Sequence, residues 1–316
     1  MGGLRRRVLK FGGTSVGTPE ALRRALHIAE IASRERPVVV VVSALSGVTN
    51  ALEAALSGAT AGSLDIAGFA AAIRDRHLAL LAAVARGRPA LQAAAIVRER
   101  VAELERRLRA VAADRAFSPA VRAAVLALGE RLSVPIAAAG LRTRGVLAHP
   151  VDGASLIRTD EAYAEAAVDP PATRRLTETA LGALGLAAVP IVAGFVGATG
   201  AGETTLLGRG GSDLTAAVLA WALDAERVEI WTDVDGVMTA DPRLDPGART
   251  IGRLSYAEAT ALARGGAKVL HPRTLEPLGE TGIPVFVGNT LRPEGPGTWI
   301  GPAEAPNEAA EAGTAA

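Results

Sequence analysis

Five consecutive valines, Val38–Val42, end in Ser43-Ala44-Leu45-Ser46-Gly47-Val48-Thr49-Asn50. A β-branched side chain on every residue leaves no polar face, so the run suits a strand covered on both sides. Such strands belong to parallel sheets, whose crossover helices lie over both faces. The preceding sequence agrees. Residues 8–11 make a short strand candidate, broken by Gly12-Gly13-Thr14-Ser15. Residues 19–33 then carry Leu22, Leu26, Ile28 and Ala29 at helical spacing. The order β–loop–α–β–loop is the opening of a mainly parallel α/β fold.

Residues 65–113 change character. They are rich in Ala, Leu and Arg with almost no β-branched clusters, which predicts a helical subdomain or lid. Another helix is expected over 120–132, and buried strands over 190–194, 228–232 and 283–288. From Gly301 the composition turns to Ala, Glu, Pro, Gly and Asn, so 301–316 reads as a disordered tail behind one domain spanning 1–300. No internal repeat is found.

Composition narrows the function classes. The chain has 316 residues, 49% of them apolar, which is ample for a large core. Its formal net charge of +1 gives no global field toward nucleic acid or an anionic membrane. Aromatic residues make up only 3%, too few to build base-stacking platforms. Cysteine is absent, which removes disulfides, zinc-thiolate sites and a thiol nucleophile, and fits a cytoplasmic protein. The arginines Arg5-Arg6-Arg7 precede a strand rather than a signal-peptide core, and no uninterrupted apolar run reaches the roughly 18 residues of a membrane span. The four histidines lack metal-ligand spacing, so a catalytic or metal-binding histidine is not expected.

Four loops directly follow strand candidates, where open parallel sheets bind ligands. In Lys10-Phe11-Gly12-Gly13-Thr14-Ser15 the paired glycines serve either a tight turn or a phosphate cradle. Lys10, inside a strand, wants a counter-anion, which favours the cradle. Residues 43–50 offer hydroxyls and an amide for a carboxylate or phosphate, or simply cap the next helix. In Gly208-Arg209-Gly210-Gly211-Ser212-Asp213, Arg209 is free to clamp a carboxylate while Ser212 and Asp213 open a helix. Trp231-Thr232-Asp233-Val234-Asp235-Gly236 and Thr239-Ala240-Asp241-Pro242-Arg243 place acids close enough for a metal or a ribose, although turn chemistry also explains them. A second lysine, Lys268, stands beside glycines in Gly265-Gly266-Ala267-Lys268, as a phosphate ligand or as a solvated surface residue.

Together these motifs resemble the aspartate kinases of the amino-acid-kinase superfamily. The likeness rests on Lys10 to Val16, the Gly-Arg-Gly-Gly-Ser-Asp core at 208–213, Trp231 to Gly236 with Thr239 to Arg243, Ser255-Tyr256 with Glu258-Ala259, and Gly266 to Thr274. It implies a three-layer α/β/α sandwich and the ATP- and Mg²⁺-dependent phosphorylation of aspartate to 4-phosphoaspartate, at the entry to lysine, threonine and methionine synthesis. By the same resemblance, Lys10 and Lys268 hold the ATP phosphates, with Gly12, Gly13 and Ser15 lining the phosphate loop. Thr232, Asp233 and Arg243 contact the nucleotide. Arg209 clamps the aspartate α-carboxylate, and Glu130, in Gly129-Glu130-Arg131, pairs with its ammonium. Ser43 and Thr49 face the reacting carboxylate. Ser212 belongs to the substrate loop, and Asp213 organises the lysines and the substrate's ammonium end. No metal-ligating side chain is assigned, and a homo-oligomer is compatible with the family. Two departures stand out. Met238 replaces a common tyrosine, and the sequence given stops where the family continues into paired ACT regulatory domains. The expectation from that second point is a kinase insensitive to lysine, threonine or methionine.

Overall fold

The computed structural model describes residues 5–240, 245, 247–265 and 270–302. The strands are β1 (Arg7–Phe11), β2 (Val38–Val42), β3 (Ala148–Val151), β4 (Val189–Ala193), β5 (Val196–Ala198), β6 (Thr204–Leu206), β7 (Arg227–Thr232), β8 (Arg253–Ser255), β9 (Val285–Asn289) and β10 (Thr298–Gly301). The helices are α1 (Gly13–Val16), α2 (Pro19–Glu35), α3 (Val48–Ala61), α4 (Ile66–Val84), α5 (Gly87–Asp114), α6 (Pro119–Leu126), α7 (Leu128–Thr143), α8 (Pro170–Leu184), α9 (Gly211–Ala222), α10 (Tyr256–Arg264) and α11 (Pro272–Thr281).

Among the described residues, eight strands form one sheet in the order β3-β4-β2-β1-β7-β9-β10-β8, parallel except for the antiparallel β9–β10 pair. β5 and β6 form a separate hairpin. The valine run behaves as its composition dictates. Val38, Val40 and Val42 enter one core and Val39 and Val41 the other, all five buried. The period-2 pleat sends alternate side chains to opposite faces, so a strand in the middle layer must be apolar throughout. Each fully buried valine contributes roughly 1.5–3 kcal/mol. Helices α2 to α7 cover the first face and α8 to α11 the second, giving the expected three-layer α/β/α sandwich.

Local signals set the helix boundaries. α2 starts where the Thr18 hydroxyl accepts from the Ala21 amide, with Pro19 in the first position. The alanine- and arginine-rich stretch forms α4 and α5, an antiparallel pair packed on α7. The helix expected over 120–132 is longer than its local signal. α6 and α7 run nearly end to end across Pro119–Thr143, long and apolar enough to cross a membrane by composition, yet 94% of the most apolar window is buried within the fold. His77 on α4 is fully buried. Desolvation pushes its pKa down to about 4, while its Nδ1 bonds the Ile73 carbonyl.

β1 occupies the centre of the sheet. The chain leaves it toward β2 on one side and returns much later as β7 on the other. A crevice opens at the carboxyl ends of strands where the winding reverses, and this is where open α/β sheets bind ligands.

Candidate active site

Lys10 sits on the last turn of pleat of β1, with its side chain 10% exposed. Its ammonium lies 2.6 Å from the Asp213 carboxylate, which belongs to the first turn of α9. A buried ammonium needs a counter-charge, and a carboxylate at a helix start is itself favoured by the helix dipole. The Gly12 amide donates to the Trp231 carbonyl at 3.1 Å, tying the glycine loop to β7. Ser15 is buried, donating to the Trp231 carbonyl at 3.1 Å and sharing a 2.7 Å bond with Thr290.

The loop after β2 is zipped to the loop after β1. Ser43 N–H donates to Phe11 C=O and Ser46 N–H to Gly13 C=O, each at 3.1 Å. Arg76 of α4 donates to the Ser46 carbonyl at 2.7 Å, so the helical pair reaches the edge of this loop. α3 then begins at Val48 and puts Thr49 in its first turn.

Glu130 arrives from α7. A side chain at Gly129 would place its Cβ 2.8 Å from the Ala44 Cβ, so only glycine lets the helix lie this close to the loop. Glu130 is 3% exposed and its carboxylate accepts from the backbone amides of Ala44 and of Glu130 itself, yet its Oε2 has no hydrogen-bond partner among the described residues. Burial pushes its pKa up to about 8, against the opposing pull of those amides, Arg131 and Lys10. Arg131 faces outward from the same turn. It bonds Asp152 at 2.8 Å and the Thr204 hydroxyl at 3.2 Å, fixing α7 against the β5–β6 hairpin.

Gly208 and Gly210 flank Arg209 with φ of 77° and 72°, the left-handed region that glycine enters without cost. The exposed Arg209 makes no ion pair with a described residue. Beside it stands Phe195, a non-glycine residue at φ 69°. Its amide donates to the Thr215 hydroxyl at 2.9 Å and its carbonyl accepts from Leu207 at 2.9 Å, which holds the unfavourable backbone in place.

One cleft of about 360 Å³ collects Lys10, Gly13, Ser43, Thr49, Glu130, Arg209, Ser212 and Asp213. Phe195 also lines it, and sequence reasoning had not singled it out. Its signal was positional, a Gly-Phe pair directly after a buried strand. Thr232 ends β7, next to β1 in the sheet, and Asp233 follows it, with the Thr232 hydroxyl donating to Asp233 at 3.1 Å. Asp235 is occupied by Asn289, at 2.8 Å, and by Arg292, consistent with a role in holding its turn. Lys268 and Arg243 lie outside the described residues. Among the described residues no group of three His, Cys, Asp or Glu could hold a metal ion.

The amino acid kinase family profile matches residues 5–289. The chain belongs to the amino acid kinase family. Within it, the chain is 39% identical over 299 residues to lysine-sensitive aspartokinase 3 of Escherichia coli K12, spanning 93% of this chain and 63% of that protein. It is 36% identical over 295 residues to the aspartokinase of Chlamydia trachomatis, spanning 93% of this chain and 64% of that protein. Its fold superimposes on the crystal structure of E. coli aspartokinase III in complex with aspartate and ADP with a TM-score of 0.81 and 37% identity, covering 93% of this chain and 64% of that one. This amino acid kinase chain thus spans just under two thirds of the length of these relatives.

Proposed function

We propose that the chain is the catalytic part of an aspartate kinase, transferring the γ-phosphoryl group of ATP to the side-chain carboxylate of L-aspartate. The products are ADP and 4-phospho-L-aspartate. The observation that carries the reading is a pair of opposite groups on one cleft. A buried Glu130 carboxylate has an oxygen without a hydrogen-bond partner among the described residues, and an exposed Arg209 has no ion pair with one. An α-amino acid presents an ammonium and a carboxylate on one carbon, which matches this pair. The likeness to an aspartokinase crystallised with aspartate and ADP supports the same assignment.

The chemistry asks little beyond placement and charge. A side-chain carboxylate with pKa about 4 is already an ionised nucleophile at neutral pH, so no general base is needed. Ser43 and Thr49 orient that carboxylate toward the phosphate loop. Lys10, the backbone of Gly12 and Gly13, and the first amides of α9 neutralise the charge spread over the transferring group. Asp213 holds the Lys10 ammonium in place. Ser15 acts one step back, fixing the phosphate loop to β7. Thr232 and Asp233 meet the nucleotide, and Arg243 and Lys268 complete its site by resemblance. Mg²⁺ entering with ATP would supply further charge neutralisation.

A coupled ADP-release assay with aspartate, glutamate, N-acetylglutamate, carbamate and UMP tests the proposal. Aspartate alone should support rapid turnover. N-acetylglutamate lacks the ammonium that Glu130 would receive, so preference for it, or for any other acceptor over aspartate, would overturn the reading.

A further inference from the structure

We infer that Arg273 is a positioning residue for the carboxylate clamp, holding the loop that presents Arg209 at its working distance from the cleft. The inference rests on the aspartate kinase reading. Arg273 stands in the first turn of α11 and does not line the cleft. Its Nη1 donates to the Leu207 carbonyl at 3.1 Å and its Nη2 to the Ala166 carbonyl at 3.5 Å. Those carbonyls belong to two paired segments. Ala166 N–H donates to Leu206 C=O at 2.9 Å, and Glu165 bridges Leu207 in antiparallel fashion. The guanidinium therefore closes the end of a small ladder immediately before Gly208-Arg209-Gly210.

That position matters because the loop has little stiffness of its own. Glycines at positive φ flank Arg209, so the anchors at either end decide where the arginine points. One anchor is α9. The other is Leu207, fully buried, with its amide on Phe195 and its carbonyl on Arg273. The start of α11 also packs along the loop, since a Cβ on Gly210 would stand 2.7 Å from the His271 Cβ. Arg273 makes no ion pair with a described residue. Its planar fork serves two carbonyls at once, a geometry that lysine cannot reproduce.

The test is steady-state kinetics on the parent, R273A, R273K, R209A and R209A/R273A. R273A should raise the aspartate KM roughly tenfold or more, since small misplacements of a binding group are costly, with the ATP KM held within about twofold. R273K should fall between the parent and R273A. In the R209A background, R273A should add less than about twofold, because the clamp it positions is already gone. Full additivity, or an equal rise in both KM values, would overturn the positioning role. If R273A fails to fold by circular dichroism, R273K decides, and an aspartate KM within about twofold of the parent would overturn the inference. A parent that releases ADP only with a different acceptor would instead refute the aspartate reading, and the same cycle on that acceptor's KM then judges Arg273 separately.

Discussion

The Lys10 ammonium lies 2.6 Å from the Asp213 carboxylate, joining the central strand of the sheet to the helix that opens over its carboxyl end. The pair sets the height at which the lysine stands in the cleft. It also keeps a buried positive charge balanced before any phosphate arrives.

Lys10→Ala should lower kcat by at least about a hundredfold, because it removes charge stabilisation of the transferring phosphoryl group. The far-UV circular dichroism should match the parent. Activity within about threefold of the parent would remove Lys10 from the reaction.

Arg209→Ala should raise the aspartate KM by about tenfold or more while the ATP KM moves little, since the guanidinium is assigned to the substrate carboxylate alone. The informative measurement is the ratio of the two KM values. A selective loss of ATP affinity would reverse the assignment of substrate and nucleotide loops.

On the aspartate kinase reading, Glu130 should make aspartate binding pH-dependent. With its pKa raised to about 8, the free site holds a proton at neutral pH, whereas an ammonium favours the ionised carboxylate. Aspartate affinity should therefore rise with pH and level off above about pH 8. Binding near pH 7 should release up to one proton, seen by titration calorimetry in buffers of different ionisation enthalpy. Glu130→Gln should bind aspartate weakly and release none. Stability follows the opposite sign. Between the ordinary value of 4.5 and about 8 the folded chain holds a proton that the unfolded chain has lost, so unfolding becomes easier as pH rises through that window. Denaturant unfolding of Glu130→Gln should show a shallower fall over the same range.

Ser15→Ala should act on the fold rather than on aspartate. It breaks the bond to Thr290, which is 1% exposed, and leaves that hydroxyl without its partner. The expected cost is about 1–3 kcal/mol in urea unfolding, with the aspartate KM within about twofold of the parent. A large change in aspartate KM with unchanged stability would put the Ser15 hydroxyl in contact with substrate instead.

What could be read beforehand was whatever local chemistry writes into a few adjacent residues. The valine run announces a doubly covered strand because each residue faces a core. Gly208-Arg209-Gly210-Gly211 announces a loop because the backbone needs positive φ there. The same reading set Ser15 in the phosphate loop, but the partner that claims its hydroxyl is Thr290, far along the chain. Phe195 escaped notice because Thr215, which holds it at positive φ, lies far along the chain on α9, leaving only the positional signal of a Gly-Phe pair after a buried strand. Arg273 escaped for the same reason, since its partners Leu207 and Ala166 meet it only once α11 docks. The helix of 120–132 was legible in part, and its continuation to Thr143 follows from burial among neighbours rather than from its own caps.

The strand that carries Lys10 is made first and completed late. β2 can cover one edge of β1 as soon as the chain reaches Val42, but the other edge waits for β7, which starts at Arg227. During synthesis an apolar strand with a row of open amides and carbonyls must persist while most of the chain is still being added. The arrangement that puts the Lys10–Asp213 pair at the sheet's centre thus leaves that centre exposed on the ribosome longest. Early truncations ending before β7 should therefore be captured by chaperones or aggregate, whereas cuts made in the finished molecule at the surface should be borne far better.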